Sequence, residues 1–118
     1  LEIPVSDRRG PGHAFFGPYA DLSPGSYVAV TRLRWTNVYS GRWEPDSRAI
    51  TLDVIAQRGG MKAARELRVE ELSEREGSWF EAELPFEVRP GDRGFEFRVF
   101  YHDIGALDID VVRVRRTE

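Results

Sequence analysis

The 118-residue chain carries 17 basic and 20 acidic side chains, a formal net charge of −3 and no cysteine, with 41% hydrophobic and 12% aromatic residues. That composition excludes a disordered chain, disulfides, thiol nucleophiles and Cys-ligated zinc. Its acidic balance argues against a nucleic-acid partner, which calls for a basic face, and no apolar run reaches the roughly 20 residues of a membrane-spanning helix.

The length predicts one domain over residues 1–118. A start without methionine suggests a module taken from a larger multidomain protein. The basic residues are arginines except Lys62. Residues 1–5 alternate weakly and read as a short first strand. Residues 6–12, SDRRGPG, form a turn-rich loop. Residues 13–22 read as an extended segment that Gly17-Pro18 confines to an edge or a bulge. Ser23-Pro24-Gly25-Ser26 is a turn: Pro24 presets φ, and Gly25 accepts a positive φ at the next position. Residues 27–35 then alternate, with Tyr27, Ala29, Thr31, Leu33 and Trp35 on one face and Val28, Val30, Arg32 and Arg34 on the other.

Residues 36–47, TNVYSGRWEPDS, are the longest polar break. Residues 48–57 alternate again, with Ile50, Leu52, Val54 and Ala56 opposite Thr51, Asp53 and Ile55. After a turn at 58–60, residues 61–72 (MKAARELRVEEL) have helix-forming composition. Their setting between strands favours a strand with Arg65, Leu67 and Val69 inward and Ala64, Glu66, Arg68 and Glu70 outward. Residues 78–88 present Phe80, Ala82, Leu84 and Phe86 on one side and should bend or break at Pro85. A second Pro-Gly turn at 89–94 leads into the clearest strand, 95–102. In the final segment, 106–116, the alternation slips at Val111-Val112, which marks a bulge.

About eight short strands with evenly spaced turns predict an all-β fold, an antiparallel sandwich or barrel. Gly59-Gly60 lacks the spacing and the following Lys-Ser/Thr of a phosphate loop. His13 and His102, the only histidines, stand in no nucleophile or metal-binding pattern.

The run GPYADLSPGSYVAVTRL resembles the opening strands of carbohydrate-binding-module-like β-sandwiches with the galactose-binding-like jelly roll, of the form GPY-x-x-L-x-x-G-x-Y-x-V-x-x-x-L. The run FEFRVFYHDIGALDIDVVRVRR is similar to their closing pair of strands, with Phe95, Phe97, Arg98, Val99, Gly105, Leu107, Ile109, Asp110, Val112 and Val114 on the pattern. The resemblance implies a jelly-roll sandwich without catalysis, attached to an enzyme of polysaccharide metabolism in a bacterial protein. The implied partners are a glycan and a neighbouring catalytic domain of the parent chain. Similar jelly rolls often carry a structural calcium near the first and last strands, for which Glu2 and Asp110 would supply carboxylates; no other cofactor is implied.

Two places suit a sugar. Trp35, Tyr39 and Trp43 lie in or beside the long break, where rings can stack on the C–H face of a sugar. Arg42, Glu44, Asp46 and Arg48 stand nearby to bond its hydroxyls. Trp35 reads equally as the end of a core stripe. The second place is an outward sheet face holding Arg32, Arg34, Asp53, Glu81, Glu83, Arg98, Phe100 and His102. Its plainer reading is a set of cross-strand ion pairs, and Phe100 is the apolar exception. The ligand-binding set is therefore Tyr39, Arg42, Trp43, Arg48, Arg98, Phe100 and His102. The expected function is a non-catalytic carbohydrate-binding module. A structural or self-association domain that positions a neighbouring enzyme is the alternative, and a carboxylate-based hydrolase is the third reading.

Overall fold

A computed structural model of the chain describes residues 2–4, 14–16, 20–37, 44–102 and 104–117. In chain order its elements are β1 (Glu2–Pro4), β2 (Ala14–Phe16), β3 (Gly25–Thr36), β4 (Arg48–Arg58), β5 (Gly60–Arg68), α1 (Val69–Ser73), β6 (Trp79–Val88), β7 (Arg93–Tyr101) and β8 (Ala106–Arg116). Two antiparallel sheets face each other, sheet 1 in the order β1-β8-β3-β6 and sheet 2 in the order β2-β7-β4-β5. This is the expected jelly-roll sandwich. The anticipated eight strands become six long ones, of nine to twelve residues, with the three-residue β1 and β2 laid along one edge of each sheet.

The core follows from the period of two. Tyr27, Ala29, Leu33 and Trp35 of β3 face Leu52, Val54 and Ala56 of β4, and all are buried. Ala82, Leu84, Phe86 and Val88 of β6 and Phe95, Phe97 and Val99 of β7 complete the layer. Phe86 lies at its centre, stacked on Tyr27 at 5.6 Å and set edge-on to Phe97 at 5.8 Å. Such ring pairs add about 1 kcal/mol each beyond the area they bury. Val28 and Val30 point away from this core, as the alternation requires, yet are buried on the outer face. Their strand neighbours there are Pro85, Glu83, Arg113 and Arg115.

Three local features refine the sequence reading. First, β6 runs unbroken through Pro85. The carbonyl of Glu83 faces away from β3, because it accepts a bond from Arg65 Nη1 at 3.1 Å. Residues two apart share that direction, so the missing N–H of Pro85 also faces the open edge and costs no ladder bond. Second, β5 ends at Arg68, and residues 69–73 turn into α1 instead of extending the strand. Loop carbonyls capture the chain there: Val69 N–H donates to Ser47 O at 3.0 Å, and Glu70 N–H donates to Pro45 O at 2.9 Å. One helical turn then buries Val69 and Leu72, three residues apart. Third, the expected bulge falls at Asp110. Arg32 pairs with Val111 and Leu33 with Ile109, which puts Ile109 and Val112, three residues apart, both on the core face.

Two contacts lock the ends of the sandwich. At one end Trp35, fully buried, donates Nε1–H to Ile104 O at 2.7 Å. Its indole lies so close to Gly105 that a Cβ there would sit 2.4 Å from Nε1. Gly105 also has φ +75, a left-handed conformation costly to any other residue. At the other end Lys62 falls in a register skip between Val54↔Ala63 and Ile55↔Met61. It reaches Asp92 Oδ2 at 2.6 Å with both side chains largely buried. The Lys62 ammonium, and after it the Arg89 N–H that also bonds this carboxylate, holds Asp92 below the usual carboxylate range.

Gly105→Ala should destabilise the protein by about 3 kcal/mol, from backbone strain and overpacking against Trp35, measured by urea unfolding. The Lys62–Asp92 pair contributes stability that is present above the ordinary Asp pKa of 3.8 and is lost as pH falls through the lowered folded value. The stability gap between wild type and Asp92→Asn should therefore narrow below that pH, and a constant gap across an acid titration would contradict the pairing.

Candidate functional site

The outward face of sheet 2 is organised by the register of β4 between β7 and β5. Thr51 lies opposite Phe100 on one side and Glu66 on the other, and Asp53 lies opposite Arg98 and Ala64. These two rows sit roughly 7 Å apart, and the span from β7 to β5 is about 10 Å. Arg98 grips Asp53 in a two-pronged bond, Nε to Oδ1 at 2.7 Å and Nη2 to Oδ2 at 2.8 Å. Asp53 is almost wholly buried beneath it, and this bond raises the Arg98 pKa further above its usual value. The fork pins the β4–β7 register and carries the Arg98 guanidinium 5.2 Å from the centre of the Phe100 ring.

The second row is polar. Thr51 Oγ1 lies 2.7 Å from His102 Nε2. Glu66 takes Arg48 Nη1 on one oxygen and Arg68 Nη2 on the other, each at 3.0 Å. His102 follows the end of β7, and its N–H bonds Ala49 O at 3.0 Å. Burial, and after it the Arg48 charge, lowers the His102 pKa below 6.5, while Glu66 pulls the other way. The ring is therefore neutral near pH 7. The result is a half-exposed aromatic ring beside a hydroxyl, an imidazole and a carboxylate held between two guanidinium groups. That is an open hydrogen-bonding platform.

Of the predicted ligand-binding residues, Arg48, Arg98, Phe100 and His102 come together on this face. Tyr39, Arg42 and Trp43 lie outside the described residues. Trp35 is core, not ligand surface, because its ring is fully buried and its N–H is spent on Ile104. The predicted sheet face proves to be two faces on opposite sides of the sandwich. Arg32, Arg34, Glu81 and Glu83 belong to sheet 1, and Asp53, Arg98 and Phe100 to sheet 2. Alternation along each strand sorts inward from outward, but only the pairing order says which outward residues are neighbours. For the same reason Thr51 and Glu66 were placed outward yet not singled out.

The sheet 1 face is an ionic lattice. Arg32 pairs with Asp110 at 3.0 Å, Arg34 with Asp108 at 2.9 Å and Arg113 with Glu2 at 2.8 Å. Trp79, 36% exposed, lies with both the Arg32 and Arg34 guanidiniums 4.7 Å from its centre. The two carboxylates expected to hold calcium, Glu2 and Asp110, are each engaged by an arginine instead. Among the described residues no three carboxylate or imidazole groups converge on a common point. No helix among the described residues is long and apolar enough to cross a membrane.

No family model matches the chain, and no curated protein matches it in sequence. Solved structures do match. A carbohydrate-binding module (CBM6cm-2) from Cellvibrio mixtus lichenase 5A, in complex with cellotriose, aligns over 100% of this chain and 98% of its own, with TM-score 0.60 and 12% identity. The C-terminal CBM6 of LamC, a marine laminarinase from Zobellia galactanivorans, aligns over 98% of each chain with TM-score 0.60 and 12% identity. A family 35 carbohydrate-binding module from an environmental isolate aligns over 89% of this chain and 66% of its own, with TM-score 0.52 and 15% identity. The chain thus has the β-sandwich fold seen in these carbohydrate-binding modules.

Proposed function

We propose that this chain is a non-catalytic carbohydrate-binding module whose glycan lies on the outer face of sheet 2. The observation that carries the reading is the convergence of Arg48, Arg98, Phe100 and His102 on one face, around Thr51 and Glu66. The likeness in fold to modules of the CBM6 and CBM35 kind supports it. A pyranose offers a C–H patch to an aromatic ring and vicinal hydroxyls at its rim. Phe100 supplies the ring. Thr51, His102, Glu66 and Arg48 supply donors and acceptors within one sugar's reach. Because Arg98 is neutralised by Asp53 and Glu66 is held between two arginines, the face asks for hydroxyls more than for a charge. The alternative place for the sugar in this reading is the loop that carries Tyr39, Arg42 and Trp43. The module serves a bacterial polysaccharide-related parent by holding its neighbouring catalytic domain on the substrate.

A glycan array followed by calorimetry tests this. Phe100→Ala should weaken binding about tenfold, or about 1.4 kcal/mol, with the circular dichroism spectrum unchanged, whereas a loss seen in Trp43→Ala and not in Phe100→Ala would move the sugar to the loop. Absence of binding to every glycan, together with a concentration-dependent dimer that Phe100→Ala dissolves, would replace this reading with the self-association one.

A further inference from the structure

Thr51 is the centre of the outward row, between Phe100 and Glu66. Its hydroxyl has one hydrogen and two lone pairs, and His102 Nε2 at 2.7 Å uses one of these three. Which one depends on the ring. A bare Nε2 accepts the Thr51 hydrogen and leaves the oxygen lone pairs facing outward as acceptors. A protonated Nε2 is itself a donor, so it takes one of the two lone pairs, turns the Thr51 hydrogen outward and leaves a single acceptor for the ligand. Resting on the glycan reading above, we propose that the Thr51–His102 couple gates the sheet 2 face. A sugar hydroxyl donates to Thr51 while His102 is neutral, and the glycan is held more weakly when His102 takes a second proton.

The groups around the ring support this direction. Arg48, from the start of β4, faces it and disfavours a second cation, and Glu66, from β5, favours one. Among the described residues, Arg98 is committed to Asp53 within the next row, and Arg68 to Glu66. Of the two charges that act on the ring, Arg48 outweighs Glu66 and opposes a protonated His102. The imidazolium also competes with Arg48 for Glu66, loosening the polar rim at the same moment as it reverses the hydroxyl. Burial acts with Arg48, so the neutral ring is the resting form and the change falls on the acid side of 6.5.

The test joins ring spectroscopy to binding. In 15N-labelled protein, the His102 ring nitrogens are followed by NMR from about pH 8 to about pH 4.5, a range that spans histidine titration. Affinity for a panel of neutral gluco-, xylo- and galacto-oligosaccharides is measured at both limits. Nε2 should be bare at the upper limit, with a titration midpoint below 6.5. Binding should be about fivefold weaker at the lower limit, the worth of about one hydrogen bond, and this ratio should approach unity in both Thr51→Val and His102→Gln. A hydrogen on Nε2 at the upper limit overturns the gate, as does equal affinity at both limits or a ratio unchanged in the variants. Those outcomes leave the glycan reading standing. Absence of binding to the whole panel at both limits overturns the two together.

Discussion

The long strands of this chain turn their largest apolar side chains to one side, and the molecule depends on hiding those sides together. The period of two leaves no alternative to layering. Tyr27 to Trp35 must meet Leu52 to Ala56, and the rings of Phe86, Phe95 and Phe97 fill the gap between them. A one-residue slip in β3 or β4 would carry Leu33 or Val54 to water and Arg32 or Asp53 into the core. The buried fork from Arg98 to Asp53 guards against that slip from the outside, because it closes only when β4 and β7 are in register.

Whatever the core does not use is left on two outward faces, and they differ in kind. Sheet 1 carries paired charges in a lattice that leaves Val28 and Val30 covered and gives Glu2 and Asp110 to arginines. Sheet 2 carries fewer charges at its β7 end and places an apolar ring among polar groups. One face is closed by its own ion pairs, and the other is left with hydrogen-bonding capacity to offer. Their separation by the thickness of a sandwich, about 10 Å between sheets, means that a ligand on one face does not touch the other.

Much of the fold could be read from residue order. The Ser23–Ser26 turn, the β3 alternation and the slip at Val111-Val112 are local signals, and each has its counterpart in the structure. Pro85 misled because the penalty for proline depends on which side of a strand is paired, a property of the sheet and not of the segment. Residues 61–72 carried both strand and helix preference, and the chain realises both, switching at Arg68 where loop carbonyls capture its amides. The candidate site was legible only as a set of outward residues. Joining Phe100 to Thr51 and Glu66, and parting them from Arg32 and Glu81, required the order of strands, which no single segment encodes.

The chain's reliance on arginine has a consequence for its behaviour in alkaline solution. Its one lysine, Lys62, is folded into the Asp92 clasp, so the cations on both outer faces are guanidiniums. A lysine-rich surface sheds its charge as pH climbs past about 10, whereas guanidinium does not deprotonate in any range a protein survives. The ion pairs of sheet 1 and the fork beneath Phe100 therefore keep their form from neutrality through strongly basic conditions. The same scarcity leaves little for amine-directed chemistry to modify: a reagent seeking an ε-amine finds a single group, 11% exposed and already bound to a carboxylate.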